Sequence, residues 1–80
     1  MDTIMKDFLK LLVSQLVNAP EDVSINEVLG QNTVILEITC RKDDVGKVIG
    51  KGGQTISAIR QIMIAMASKS QLRVTLEIVE

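Results

Sequence analysis

The residues best equipped for chemistry lie mid-chain, at Val45-Gly46-Lys47-Val48-Ile49-Gly50-Lys51-Gly52-Gly53-Gln54-Thr55-Ile56. Four of the five glycines fall between positions 46 and 53, with Lys47 and Lys51 among them. Glycine has no Cβ, so it reaches positive φ and admits a close neighbour. Gly50-Lys51-Gly52-Gly53 therefore reads as a tight, bare, positively charged turn of the form Gly-x-x-Gly. Such a turn suits an anion, and above all a chain of phosphates.

Other chemistry has little to work with. The chain has no histidine, hence no imidazole base, and a single cysteine, Cys40, hence no nucleophilic dyad or zinc cluster. Asp43-Asp44 resembles a general-base or metal pair, but capping of a helix start explains these residues better. Gly46-Lys47-Val48-Ile49-Gly50-Lys51-Gly52 is one residue short of a P-loop between its glycines, and Gly52 stands where Ser or Thr must hold magnesium. No enzymatic activity, cofactor or metal is expected.

Net charge is −1, which by itself disfavours a polyanion, but the distribution does not. Residues 1–40 carry two basic side chains against six acidic ones, whereas residues 41–73 carry seven against two. Positive charge is thus gathered around the glycine turn. Phe8 is the only aromatic residue and falls on an apolar helical face, which excludes base stacking on exposed rings. What remains is a backbone clamp. The turn approaches phosphates, Lys51 supplies charge, the following helix adds its N-terminal dipole, and bases lie on an aliphatic surface alongside.

Several elements must position that turn. Before it, Asp43 to Ile49 forms a short helix with Asp43 or Asp44 as N-cap. After it, a longer helix runs from Gln54 to Ser68, with Ile56, Ile59, Met63 and Met66 or Ala67 as its core stripe and Ile62 alongside. The second half of that helix is apolar nearly all round, so it needs cover from the N-terminal helix or from another subunit.

Residues 3–18 read as a first helix, capped by Asp2 or Thr3 and ended by Asn18-Ala19-Pro20. Its apolar face is Met5, Phe8, Leu9, Leu12 and Leu16. Val23 to Leu29 reads as a strand whose alternation slips at Glu27-Val28, marking a bulge or an edge. After a turn at Gly30-Gln31-Asn32, Thr33 to Cys40 alternates cleanly, with Val34, Leu36, Ile38 and Cys40 inward. Leu72 to Ile78 alternates as well, with Leu72, Val74, Leu76 and Ile78 inward.

The order is α-β-β-α-α-β. It predicts an α+β domain: a hairpin, a helical crossover to a parallel third strand, and helices on one face of a three-stranded mixed sheet. Eighty residues make one domain, spanning 1–80. A lone cysteine, an acidic start at Asp2 and Asp7, and no long apolar run lead us to expect a soluble, cytoplasmic chain.

These residues also resemble a known family. Val48-Ile49-Gly50-Lys51-Gly52-Gly53-Gln54-Thr55-Ile56 matches the KH-domain signature, (V/I)-I-G-x-x-G-x-x-(I/L), and the element order is similar to the type II KH arrangement of bacteria. The likeness extends to the small single-KH RNA-binding proteins of the KhpA or YlqC type. It is carried by Asn18-Ala19-Pro20, Asn26-Glu27-Val28-Leu29-Gly30, Gly46-Lys47-Val48-Ile49-Gly50-Lys51, Ala58-Ile59-Arg60 and Val74-Thr75-Leu76-Glu77-Ile78.

The resemblance implies sequence-tolerant binding of single-stranded RNA, about four nucleotides lying along the loop. Carried over by position, Gly50, Lys51, Gly52 and Gly53 form the clamp and Lys47 lies near the phosphates. Val48, Ile49 and Ile56 shape the groove or the core beneath it, and Gln54 and Arg60 complete the implied set. Gln54 replaces an arginine common among relatives, which removes one charge. The resemblance further implies post-transcriptional control or RNA chaperoning, and a homodimer or a heterodimer with a larger KH-containing protein of the KhpB or Jag type. The greasy Met63-Ile64 stretch is the expected contact. The alternative is a dimerisation module with weak RNA affinity.

Overall fold

A computed structural model describes residues 3–79, and the proposed cap at Asp2 or Thr3 lies outside the side chains it describes. Helix α1 (Thr3–Leu16) leads through a 3-10 turn at Pro20–Asp22 into strand β1 (Ser24–Leu29) and then strand β2 (Thr33–Thr39). Helices α2 (Val45–Ile49) and α3 (Gln54–Ser68) follow, and strand β3 (Arg73–Val79) closes the order. The expected α-β-β-α-α-β succession is thus present.

The strands lie side by side as β1-β2-β3. β1 and β2 are antiparallel, running from Ser24 opposite Thr39 to Leu29 opposite Val34. β2 and β3 are parallel, running from Thr33 beside Arg73 to Thr39 beside Val79. The two-helix crossover enforces that parallel pairing, since α3 must carry the chain back to the end from which β2 started. Both β1 and β3 are therefore edges.

The β1 register is one-for-one throughout, so β1 is an edge strand without a bulge. The slip in alternation has another cause. Directly opposed antiparallel residues share a face, so Glu27, opposite the buried Leu36, faces the core side. It is half-buried, and one of its carboxylate oxygens is buried with no partner among the described residues. Val28, on the open face, is left exposed. There Asn26 Nδ2 donates to Glu37 Oε1 at 2.8 Å across the hairpin.

The core gathers Met5, Leu9 and Val13 of α1, Ile25, Val34, Leu36, Ile38 and Leu76 of the sheet, Val48 of α2, and Ile59, Met63 and Ala67 of α3. In α1 the buried spacing is four residues, Met5-Leu9-Val13, with Phe8 and Leu12 packed beside them. Val13, absent from the expected stripe, is wholly buried, whereas Leu16 is 38% exposed. A straight helix laid on a twisted sheet touches it best along its middle, and Leu16 is the last residue of α1. α1 also stops two residues short of Asn18. In α3 the stripe Ile59-Met63-Ala67 settles the choice between Met66 and Ala67, and Ile56 and Met66 are partly buried beside it.

Cys40 lies just past β2 and is only half-buried. Desolvation raises its thiol pKa above the ordinary 9.0, and the nearby Asp44 carboxylate raises it further. No helix of the described residues is long and apolar enough to cross a membrane.

Candidate nucleic-acid interface

The glycine turn is built from backbone that only glycine adopts with ease. α2 closes where the Gly50 N–H donates to the Gly46 carbonyl at 2.9 Å. Gly50 then takes φ 79° and ψ 169°, reversing the chain. A Cβ at Gly50 would overlap the Thr55 hydroxyl and stand 2.8 Å from the Thr55 backbone nitrogen. Gly52 is left-handed (φ 64°, ψ 17°), and Gly53 likewise before α3 begins. Around Gly52 and Gly53 the space a Cβ would fill is open to 4 Å. The turn is thus pressed against α3 on one side and bare on the other.

Lys51 and Lys47 are exposed beside it, as are Gln54 and Arg60. Among the described residues the ion pair present, Arg41–Asp43 at 3.7 Å, involves none of these cations. No side chain caps the start of α3; the Gln54 N–H is taken by the Lys51 carbonyl, and the positive end of the helix dipole lies next to the turn.

Ser57, Arg60, Ile64 and Ser68 recur along α3 at three-, seven- and eleven-residue offsets, on one helical face that begins just after the turn. The far end of that stripe is located: Ile64 and Ser68 line a groove of about 330 Å³ with Leu72, Arg73, Val74 and Thr75. Since β3 is a sheet edge, unpaired backbone N–H and C=O groups adjoin this groove. The surface therefore runs from a cationic turn, past Arg60, to an aliphatic groove with open hydrogen-bonding groups.

One expectation is narrowed and another needs correction. Of the residues expected to shape the groove or the core beneath it, Val48 is wholly buried and belongs to the core, while Ile49 and Ile56 are partly buried. The period of a five-residue helix that is held on several sides cannot be read from sequence. Neither Asp43 nor Asp44 makes a capping hydrogen bond to α2. Asp43 faces solvent and pairs with Arg41, while Asp44, 2% exposed, accepts the Ala19 N–H at 3.0 Å. That bond also explains why α1 ends early: the Ala19 N–H goes to Asp44 instead of an α1 carbonyl, and Pro20 biases Ala19 out of the helical region. Sequence reasoning missed the contact because its partners stand 25 positions apart.

A Gly-x-x-Gly turn joining two helices, inserted between parallel strands and preceded by a helix and a hairpin strand, defines a KH domain with the type II element order. The family model described as "KhpA/KhpB, KH domain" matches residues 6–78. The chain belongs to the KhpA/KhpB family of KH domains.

It is 50% identical over 76 residues to the RNA-binding protein KhpA of Chlamydia caviae, covering 95% of this chain and 97% of that one. The RNA-binding protein KhpA of Clostridium perfringens is 44% identical over 75 residues, covering 94% and 100%. Among solved structures, the crystal structure of Era in complex with MgGDPNP and nucleotides 1506–1542 of 16S ribosomal RNA superposes with a TM-score of 0.58 at 20% identity. That match covers 92% of this chain and 28% of Era, and it shows the fold.

Proposed function

We propose that the chain is a single KH domain that holds single-stranded RNA by its sugar–phosphate backbone. The observation that carries this reading is the bare cationic turn: Gly52 and Gly53 present open backbone directly after exposed Lys51, with Lys47 exposed on α2 and no side chain capping α3. Phosphates sit against Gly50 to Gly53 with Lys51 and Lys47 as counter-charges, and Gln54 donates from the first residue of α3. Bases lie along the Ser57–Arg60–Ile64 stripe towards the groove beside β3. The names of the relatives, RNA-binding proteins, agree with this reading. So does the RNA in the Era complex.

Contacts that grip backbone carry little sequence information, which suits an RNA chaperone or post-transcriptional regulator acting in the cytoplasm on many transcripts. The test is Lys51→Asp with Gly52→Asp. RNA binding should collapse while the circular dichroism spectrum and melting transition stay two-state and native-like. Full RNA affinity in that variant would sink the proposal.

A second reading, a protein-interaction module, is favoured by exposed aliphatic residues on α3. Ile62 is 44% and Ile64 47% exposed, whereas Met63 is wholly buried and cannot join an interface. Two positions on a helix differ by about 200°, so Ile62 and Ile64 serve different surfaces. Ile64 belongs to the groove, which leaves Ile62 as the contact for a second copy or a larger KH-containing protein. Sedimentation should show self-association that Ile62→Glu abolishes; a concentration-independent monomer mass would refute homodimerisation.

A further inference from the structure

α2 is five residues long, with 3-10 turns on both sides. So short a helix does not hold its own direction, because nucleation costs more than its few hydrogen bonds return. Its orientation, and that of the turn it delivers, comes from whatever it is fastened to. Midway, Val48 is buried in the core. At the far end, Gly50 is pressed against Thr55. At the near end the fastening is polar: the Asp44 carboxylate, 2% exposed, accepts the N–H of Ala19, also 2% exposed, at 3.0 Å. Both residues are nearly sealed from water, so the Ala19 N–H depends on the Asp44 carboxylate for its hydrogen bond.

We infer that Asp44 is a positioning residue for the phosphate-binding turn, setting its angle by fastening the start of α2 to the corner that follows α1. The inference rests on the function proposed above. An apolar anchor such as Val48 resists withdrawal but leaves a short helix free to roll. A hydrogen bond of fixed direction at one end removes that freedom. Asp43 cannot substitute, because it faces solvent beside Arg41.

The test compares Asp44→Ala, which removes the acceptor, with Asp44→Asn, which keeps one acceptor oxygen. Met5→Ala, in the core at the opposite end of α1 from Ala19, serves as the stability control. A fluorescein-labelled single-stranded RNA of random sequence is titrated into each full-length protein well below its Tm. Amide exchange is followed at Gly50.

Asp44→Ala should weaken RNA binding about tenfold, the scale of one buried hydrogen bond lost, and should speed Gly50 exchange while α3 amides keep their protection. Asp44→Asn should recover most of both. Met5→Ala should lower Tm yet hold affinity within about twofold, as distant sites do. Equal loss of affinity in Asp44→Ala and Met5→Ala, or unchanged Gly50 exchange in Asp44→Ala, overturns the inference.

If Asp44→Ala does not fold, Asp44→Ser, whose side chain falls short of Ala19, carries the same comparison. Lys51→Asp with Gly52→Asp is run alongside. Binding lost there, with normal Gly50 exchange in Asp44→Ala, sinks this inference alone. Binding retained there sinks the proposed function, and Gly50 exchange still judges Asp44 independently.

Discussion

Replacing Gly50 and Gly52 separately by alanine asks whether the turn needs glycine for its backbone conformation or also for close packing. Gly50 adopts φ 79° and ψ 169°, a region that costs a residue with Cβ about 1–3 kcal/mol. The new methyl would also meet Thr55, with the backbone nitrogen at 2.8 Å. Backbone cannot swing aside as a side-chain tip does, so relieving that overlap costs about 1–3 kcal/mol more. Alanine returns about 0.4–1 kcal/mol by stiffening the unfolded chain.

The net loss at Gly50 is thus about 2–5 kcal/mol, a large share of the roughly 4–12 kcal/mol that stabilise a chain of this length. Gly52 is left-handed with open space around it, so alanine there loses about 1–2 kcal/mol and recovers part of it. At about 4–8 °C per kcal/mol for a domain of this size, calorimetry should find Gly50→Ala melting at least about 5 °C below Gly52→Ala. Midpoints within about 3 °C of each other would show that the contact with Thr55 decides nothing, and the packed-on-one-side picture of the turn would fail.

Two further outcomes follow from the same geometry. With Lys47, Lys51 and Arg60 as the cations of the interface, log K for a single-stranded RNA should fall against log salt with a slope of about −2, at roughly 0.7 per phosphate contact. A slope steeper than about −4 in fluorescence anisotropy would mean that a much larger basic surface is engaged. Cys40 has a thiol pKa raised above 9.0 by burial and then by Asp44, so its thiolate is scarcer at neutral pH than that of a free thiol. Iodoacetamide should therefore modify it slowly. Because the unfolded thiol ionises first, Cys40's contribution to stability should be complete below the ordinary thiol pKa and decline as pH rises past it. Modification as fast as that of a model thiol at neutral pH would refute this.

The glycine turn, the span of α3 and the pairing of a hairpin with a parallel third strand were legible because their signals are local. Gly50 to Gly53 announce a reversal wherever they occur, and the alternation of Val34-Leu36-Ile38 marks a face without reference to the rest of the chain. The KH signature around Ile49 and Gly50 added the family. Less legible were the residues whose role depends on a partner far along the chain. Asp44 reads as a helix cap until Ala19 is found against it, and Glu27 leaves bulge and edge both open until its register with Leu36 is seen. Val48 reads as part of the groove or of the core beneath it, and its complete burial decides for the core.

Amino-acid order by itself determined which segments are helix, strand and bare turn, since backbone preference and apolar periodicity act over one or two turns of chain. Only the tertiary structure decided which side chains face inward on α1 and α2, where the Asp44 carboxylate is spent, and that Ile62 and Ile64 look in different directions. The reason is physical. Burial and hydrogen-bond pairing are properties of two surfaces meeting, and the second surface comes from residues that no local window contains.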